Sequence, residues 1–360
     1  MIIDIEESDL FYSRACTALD NGQIVALPTD TVYGLAVNAH NSAAIQRLLS
    51  VKGRTGKPFP FFIPKNAMRD YVIVTKNKIL EYFMPGPITV ILKKKKGIDL
   101  PLVKDTAGIR IPDTPYILKL LHLYNKPLAV TSANLSNEPP LTSAYQIVEA
   151  FTDVPLVING GELPSQPSTV LDLTMTPPVI RRKGVVGILQ IERVYGGIVR
   201  IIGSAKFHVL FVCSGNTCRS PMAEAILRTL VSPEICEVRS AGTIAMDGAP
   251  AARNALEVVV EYGGTLNDHT SRLLDKDAVE WADLILVMSY GHFDRVTELS
   301  REAAVKTFLL KEYKRRVKYN EVADPMGRDL TAYEKVARDM MPALRMVARD
   351  IARRYQTSTE

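Results

Sequence analysis

Residues 212–221, VCSGNTCRSP, follow the apolar run FHVLFV and lead into PMAEAILRTLV. An apolar run that stops at small polar residues and resumes with helical periodicity, opened by a proline in the first turn, reads as strand, loop and helix. The loop holds two of the four cysteines in the chain, Cys213 and Cys218, with one arginine and no histidine. Three readings compete: a metal site, a disulfide, or a cage around an anion. A metal needs about four ligands, and Cys16 and Cys236 lack paired spacing. Four cysteines in 360 residues suit free thiols in a reducing compartment. A strand-loop-helix turn, by contrast, aims backbone N–H groups and the positive end of the helix dipole at one spot. A thiol placed there sheds its proton readily. Arg219 closes the loop with a fork that matches two phosphoryl oxygens, and Ser220 can hydrogen-bond the sulfur.

Outward from this loop the same rhythm continues. EVRSAGT and ADLILVMS read as strands, AARNALEVVVEYG as a helix, and TAYEKVARDMMPALRMVARDIARRY as a long amphipathic helix. Together they predict a parallel-sheet α/β domain over residues 204–360. Upstream, short β-rich runs (QIVALPT, ITVILK, LAVTSAN, VPLVING, STVLDL) mix irregularly with helical stretches such as SAAIQRLLSVKG and TPYILKLLHLYNK. That pattern predicts a mixed α/β, twisted-sheet domain over residues 1–203, joined through GGIVRIIGSAKF. Cys16, within DLFYSRACTALDNG, is expected to be a buried, inert thiol.

The N-terminus is acidic, without a basic segment followed by an apolar core, and no apolar run reaches membrane-spanning length. A cytoplasmic protein with no membrane partner is expected. A net charge of +5 suits acidic ligands such as nucleotides, phosphates or RNA. The basic run Lys93–Lys96 follows PITVIL and reads as a solvated hairpin end.

Phosphoryl transfer to sulfur produces a leaving group that needs a proton. Asp324, held in a turn by Pro325 within VADPMGRD, is the candidate acid. From Phe207 to about Tyr355 the chain resembles the low-molecular-weight phosphotyrosine phosphatase family, with CSGNTCRSPMAEAIL, SAGT, DHTSRLL, ADLILVMS and ADPMG in the family's order. The resemblance implies a thiophosphoryl-enzyme without a cofactor: Cys213 as nucleophile, Arg219 as clamp, and Asp324 as acid and then base. It also implies that Asn216 and Ser220 order the loop, that His269 supports it from behind, and that Cys218 can trap the nucleophile under oxidation. Two departures bear on substrate. Met326 and Gly327 follow Asp324-Pro325 where tyrosine-directed members carry aromatic residues, and Thr217 replaces an aliphatic residue. NTCRSPMAEA is similar to the protein arginine phosphatases, so phosphoarginine is the expected substrate and phosphotyrosine the alternative. No redox cysteine of the kind arsenate reduction needs follows Cys236.

Three polar clusters stand out upstream. PTDTVYGL sets Thr29 and Thr31 between a strand and a glycine; VKGRTGKP gathers Lys52, Arg54 and Lys57 after a helix; VTSANLSNEPP puts Ser132 and Asn134 on one side of an extended segment. Together they suggest a phosphate-accepting cavity. With PGPITVIL, AGIRIP, PSTVLDL and IRRKG, they resemble the YrdC family of threonylcarbamoyl-AMP synthases over residues 8–190. The resemblance implies that L-threonine, bicarbonate and ATP, with magnesium, become threonylcarbamoyl-adenylate for the tRNA t6A modification, which a downstream transferase completes. It further implies that Arg54, Thr106, Asn134, Thr142 and Arg182 face ATP with Lys52 and Lys57 at its phosphates, and that Thr31, Arg110, Ser132 and Ser168 face threonine or the carbamate. No dedicated metal cage is expected. GRTGKPFPFF is a residue shorter than the usual loop and has Phe61-Phe62 near a position where relatives place a polar threonine contact. The competing class is a non-catalytic module that contacts RNA or nucleotide, fused to a phosphotyrosine phosphatase.

Overall fold

The computed structural model describes residues 1–5, 10–53, 58–135, 138–313 and 320–356. The chain divides into two compact units, Met1–Gly187 and Ile188–Glu360. The seam lies upstream of the connector expected at 203/204, because the helix Ile188–Tyr195 is tied into the second unit. Its Glu192 takes a two-pronged ion pair from Arg354 of the C-terminal helix, Nε to Oε1 at 2.9 Å and Nη2 to Oε2 at 2.7 Å. A short strand, Arg200–Ile201, occupies the middle of the expected connector.

The first unit is a mixed sheet. Across it lie, in order, the strands Ile2–Asp4, Leu156–Asn159, Val25–Leu27, Gly34–Asn38, Leu128–Ser132, Phe61–Phe62, Thr106–Arg110, Ile88–Lys93, Thr169–Asp172 and Val179–Arg182. Val25–Leu27 turns back antiparallel into Gly34–Asn38, which pairs antiparallel with Leu128–Ser132. Ile88–Lys93 runs antiparallel to Thr106–Arg110 and parallel to Thr169–Asp172. The lysine run therefore does end a hairpin arm, where Lys95 and Lys96 are exposed and Lys94 Nζ donates to Ile98 O at 2.8 Å. Local chemistry sets the helix ends. Asn41 accepts from Ala44 N at the start of Ser42–Val51, Ser143 and Gln146 form a capping box on Ala144–Ala150, and Pro115 opens Pro115–Tyr124. The helix Leu10–Asp20 packs Phe11, Ala15 and Leu19 into a core shared with Leu27, Leu120 and Ile158. Cys16 lies against that core only half-buried, and burial pushes its thiol up.

The second unit is a four-stranded parallel sheet in the order Cys236–Gly242, Phe207–Cys213, Leu284–Val287, Thr307–Leu309. Phe207–Cys213 comes first in sequence yet lies between the second and third strands. The connections from its flanks diverge at its carboxyl end and open a crevice there, which is the rule for ligand sites in parallel sheets. The loop after Cys213 fills that crevice and passes into the helix Arg219–Leu230. The C-terminal helix Leu330–Tyr355, capped by Asp329 accepting from Ala332 N, carries Pro342 in its interior. Among the described residues no helix is long and apolar enough to cross a membrane.

Candidate active sites

Cys213 is the last residue of its strand and 2% exposed. Its Sγ lies 3.0 Å from Ser220 Oγ, which belongs to the first turn of the helix Arg219–Leu230. Between them Asn216 adopts φ of 54°, a left-handed turn that asparagine tolerates better than most side chains. Four hydrogen bonds hold it. Nδ2 donates to Ser220 Oγ at 2.9 Å and to Ser240 Oγ at 2.8 Å, Oδ1 accepts from Arg272 N at 2.9 Å, and the carbonyl accepts from His269 Nε2 at 2.8 Å. Ser240 in turn donates to the buried Glu224.

The neighbouring strand shapes the loop as well. Thr243 N donates to Cys213 O at 2.9 Å and Ile244 N to Ser214 O at 3.0 Å. A Cβ on Gly242 would meet Ser214 O at 2.5 Å and Asn216 N at 2.8 Å, so only glycine lets the loop backbone approach so closely.

Arg219 donates through Nη2 to Asp324 Oδ2 at 2.6 Å and to Ser214 Oγ at 3.2 Å, and through Nη1 to Val322 O at 3.3 Å. The arginine is 6% exposed and the Asp324 side chain 48%, so the pair bridges floor and rim. Met326 N donates to Asp324 Oδ1 at 3.1 Å, the turn expected from Asp-Pro, and the Met326 side chain is open to solvent. Thr217 lies half-buried, its Oγ1 3.6 Å from Cys218 Sγ. Cys218 Sγ also meets Tyr333 Oη at 3.3 Å, and burial, then Cys218, raises that phenol. All four cysteines are free, and the described residues hold no cluster of three or more His, Cys, Asp or Glu suited to a metal. The geometry is a cage: a sulfur with the Ser220 hydroxyl beside it, a guanidinium and a carboxyl.

Of the phosphatase-like residues expected from sequence, Cys213, Asn216, Arg219, Ser220, His269 and Asp324 take part in these contacts, while the side chains of Thr217 and Cys218, on the same loop, meet each other and Tyr333. Sequence reading missed Ser214 and His292. His292 Nε2 lies 2.9 Å from Ser214 Oγ and Nδ1 2.8 Å from Ser289 Oγ. Burial, then the nearby Arg219, pushes its imidazole down to about 4.

In the first unit a cavity of about 310 Å³ is lined by Thr106, Arg110, Ser132, Ser168 and Arg182. Arg110 pairs with Asp30 and donates to Thr31 Oγ1 at 2.8 Å, and Thr31 meets Thr29 at 3.1 Å. Burial draws the Arg110 guanidinium below its ordinary range, against the pull of Asp30. Asp30, inside the PTDTVYGL stretch, is the partner that sequence reading passed over. Among the described residues, its Oδ2 and Arg110 Nε are buried with no hydrogen-bond partner. Arg182 donates to Ser168 O at 2.9 Å and Ser168 Oγ at 3.1 Å, and Ser168 Oγ meets Thr89 at 3.0 Å. Of the two phenylalanines flagged in sequence, Phe62 lines the cavity, its ring centroid 5.6 Å from the Arg110 guanidinium.

Lys52 is buried, and its Nζ donates to Ser132 O at 2.9 Å and to both Asn134 O and Asn134 Oδ1. It braces the Ser-Ala-Asn segment. Ser132 Oγ donates to Asn134 Oδ1 at 2.5 Å, and Thr142 bonds Gln146 Oε1 through its N–H at 3.0 Å. Asn134 and Thr142 do not line the cavity. Arg54 and Lys57 lie outside the described residues.

The Sua5–YciO–YrdC family model, described as telomere recombination, matches residues 17–184, and the low molecular weight phosphotyrosine protein phosphatase model matches residues 208–357. The first part is similar to the threonylcarbamoyl-AMP synthase of Pyrococcus abyssi, 36% identical over 187 residues, covering 49% of this chain and only 55% of that enzyme's length. It is similar also to a Methanocaldococcus jannaschii protein assigned as the same synthase, 38% identical over 179 residues, with 48% of this chain and 85% of that protein covered. The second part is similar to the protein-arginine-phosphatase of Geobacillus stearothermophilus, 40% identical over 138 residues, with 38% of this chain and 90% of that enzyme covered.

Proposed function

Because the chain belongs to the Sua5–YciO–YrdC family through residues 17–184 and to the low molecular weight phosphotyrosine protein phosphatase family through residues 208–357, we propose that it joins two enzymes. One is a threonylcarbamoyl-AMP synthase and the other a cysteine-dependent phosphatase of phosphoarginine in proteins. The observation that carries the phosphatase is the cage itself, with Cys213 Sγ 3.0 Å from Ser220 Oγ and Arg219 2.6 Å from Asp324.

An entering phosphoryl group competes with Asp324 for the Arg219 fork and takes it, since two phosphoryl oxygens match the two guanidinium nitrogens. The Cys213 thiolate attacks phosphorus and forms an S–P bond as the P–N bond of phosphoarginine breaks. Asp324, released from Arg219 at the solvent-open rim, takes up a proton from water and gives it to the departing nitrogen. Water then attacks phosphorus, Asp324 takes one of its protons, and the S–P electron pair returns to sulfur with a hydrogen bond from Ser220. Backbone donors of the loop and Arg219 neutralise the equatorial oxygens throughout. The identity to a protein-arginine-phosphatase, Thr217 in the loop that carries the nucleophile, and Met326 at the rim in place of an aromatic wall support phosphoarginine over phosphotyrosine.

In the first unit, threonine's amine and bicarbonate condense to a carbamate with loss of water, and a carbamate oxygen attacks the α-phosphorus of ATP, expelling pyrophosphate. Arg110, Thr31, Ser132 and Ser168 are the proposed contacts to threonine and the carbamate. Thr106 and Arg182 are those to ATP, with Asn134, Thr142, Arg54 and Lys57 the further proposed contacts and Lys52 bracing Ser132 and Asn134. Magnesium enters with ATP as part of the substrate complex. The product is a mixed anhydride, so a separate transferase must pass the threonylcarbamoyl group on to tRNA.

The test pairs the two activities on the whole chain. Phosphate release from a phosphoarginine peptide should exceed that from a phosphotyrosine peptide and vanish in Cys213→Ser, while Thr217→Ile should shift preference toward phosphotyrosine. Release that survives Cys213→Ser refutes the nucleophile, and a native preference for phosphotyrosine refutes the substrate. Pyrophosphate release from ATP should require both threonine and bicarbonate; release indifferent to either refutes the synthase.

A further inference from the structure

Ser214, the first residue after the nucleophile, carries no reactive group, yet its hydroxyl joins Arg219 to His292. Its Oγ accepts from Arg219 Nη2 at 3.2 Å and lies 2.9 Å from His292 Nε2. The other imidazole nitrogen lies 2.8 Å from Oγ of Ser289, the N-cap residue of the helix Tyr290–Leu299. The ring is 5% exposed and fixed at both nitrogens, so it cannot turn without breaking a buried hydrogen bond.

Arg219 has three acceptors, and they differ in permanence. Asp324 stands at the rim and must let go when it serves the leaving group. The Val322 carbonyl is the longest contact, at 3.3 Å. Ser214 is the side-chain acceptor that stays. Its hydroxyl has two lone pairs and one proton, so it can accept from Arg219 while either accepting from or donating to Nε2 of the imidazole. Burial and the neighbouring guanidinium both disfavour its protonation, while Asp324 and Glu321 oppose them more weakly. With a neutral ring, either tautomer completes an unbroken chain from Arg219 through Ser214 and His292 to Ser289.

We propose that Ser214 and His292 are positioning residues for the phosphate clamp: the imidazole fixes the Ser214 hydroxyl, and the hydroxyl fixes the Arg219 fork while Asp324 moves its proton. The proposal rests on the phosphatase reading above. It places the orientation of Arg219 under the control of a strand-to-helix junction distant in sequence from the loop.

The test uses the full chain, p-nitrophenyl phosphate as substrate and inorganic phosphate as competitive inhibitor. Ser214→Ala should weaken inhibition by phosphate about tenfold, the scale of one lost hydrogen bond to a charged group, and should raise KM more than it lowers kcat. His292→Leu should reproduce that loss, and the double variant should lose no more than the larger single one, because the two residues act in series. His292→Gln, whose amide can still reach Ser214, should restore phosphate inhibition to within about twofold of the native chain. Thermal unfolding monitors the fold; should His292→Leu not fold, Ser214→Ala and His292→Gln decide between them. Unchanged phosphate inhibition in folded Ser214→Ala, or additive losses in the double variant, overturns the proposal. A native chain that neither turns over substrate nor binds phosphate overturns the phosphatase reading, and this proposal with it.

Discussion

Replacing Glu192 by glutamine removes one charge from a pair whose other member has no route to water. The Arg354 side chain is 0% exposed, and its guanidinium carbon stands 4.5 Å from the centroid of the Phe207 ring. Burial is the largest single influence on that guanidinium and works against its charge. Glu192 and Tyr313 together outweigh it and leave the group above its ordinary value. Breaking a buried pair by removing one partner costs about 3–5 kcal/mol, because the survivor keeps its desolvation penalty. Glutamine retains an acceptor, so about 3 kcal/mol is expected. At roughly 2–4 °C per kcal/mol for a unit of this size, the melting transition of the second unit should fall by about 10 °C. The assay is thermal unfolding followed in parallel by loss of phosphate release, which assigns the transition to residues 188–360. Glu192→Leu with Arg354→Met should recover most of the loss, since apolar replacement of a whole buried pair is commonly near neutral. A fall below about 2 °C in the glutamine variant, less than 1 kcal/mol by the same conversion, would refute the reasoning. It would also free the helix Ile188–Tyr195 from the second unit.

Acid stability follows from His292. Its folded-state value, about 4, lies below the ordinary 6.5, so the unfolded chain binds the proton first. Stability is complete above 6.5 and is lost as pH falls toward 4. The ceiling is about 3 kcal/mol, and solvent screening near the first helical turn reduces it to roughly 1–2 kcal/mol. Urea titrations at several pH values should show a shallower acid slope in His292→Gln than in the native chain; parallel slopes would contradict the assignment. Gly242→Ala should press its methyl against Ser214 O and Asn216 N. Phosphate release should then fall about 100-fold, as for a misplacement near 1 Å, and stability by about 1–3 kcal/mol. Full activity would show that the loop yields.

What the sequence made legible was local. Strand, loop and helix around Cys213 follow from apolar pattern and turn chemistry within a few residues, and Asp324 announced itself through the proline that follows it. Long-range partners were not legible. Asp30 becomes the partner of Arg110 only because strand register brings residues 30 and 110 together, and Lys52, which reads as a phosphate ligand when only its loop is considered, turns inward to Asn134. The domain seam was hidden for the same reason. The paired glycines at 196–197 and Gly203-Ser204 look like a linker, whereas the anchoring contact joins Glu192 to Arg354, at the far end of the C-terminal helix. His292 carries no signal beyond its residue type, since its meaning depends on Ser214 lying across the crevice.

The close approach of Gly242 to the loop backbone bears on how such sites are recognised and moved. Half of the mould that casts the CSGNTCRS turn is the bare Cα of a neighbouring strand, together with the N–H groups of Thr243 and Ile244. A segment lifted out as Cys-x5-Arg-Ser and grafted onto another strand-to-helix junction would carry the reactive atoms without the surface that bends them. Diagnostic patterns gain discrimination by pairing the loop with Ser-Ala-Gly-Thr at the end of the adjacent strand, and a transplant of the chemistry requires both.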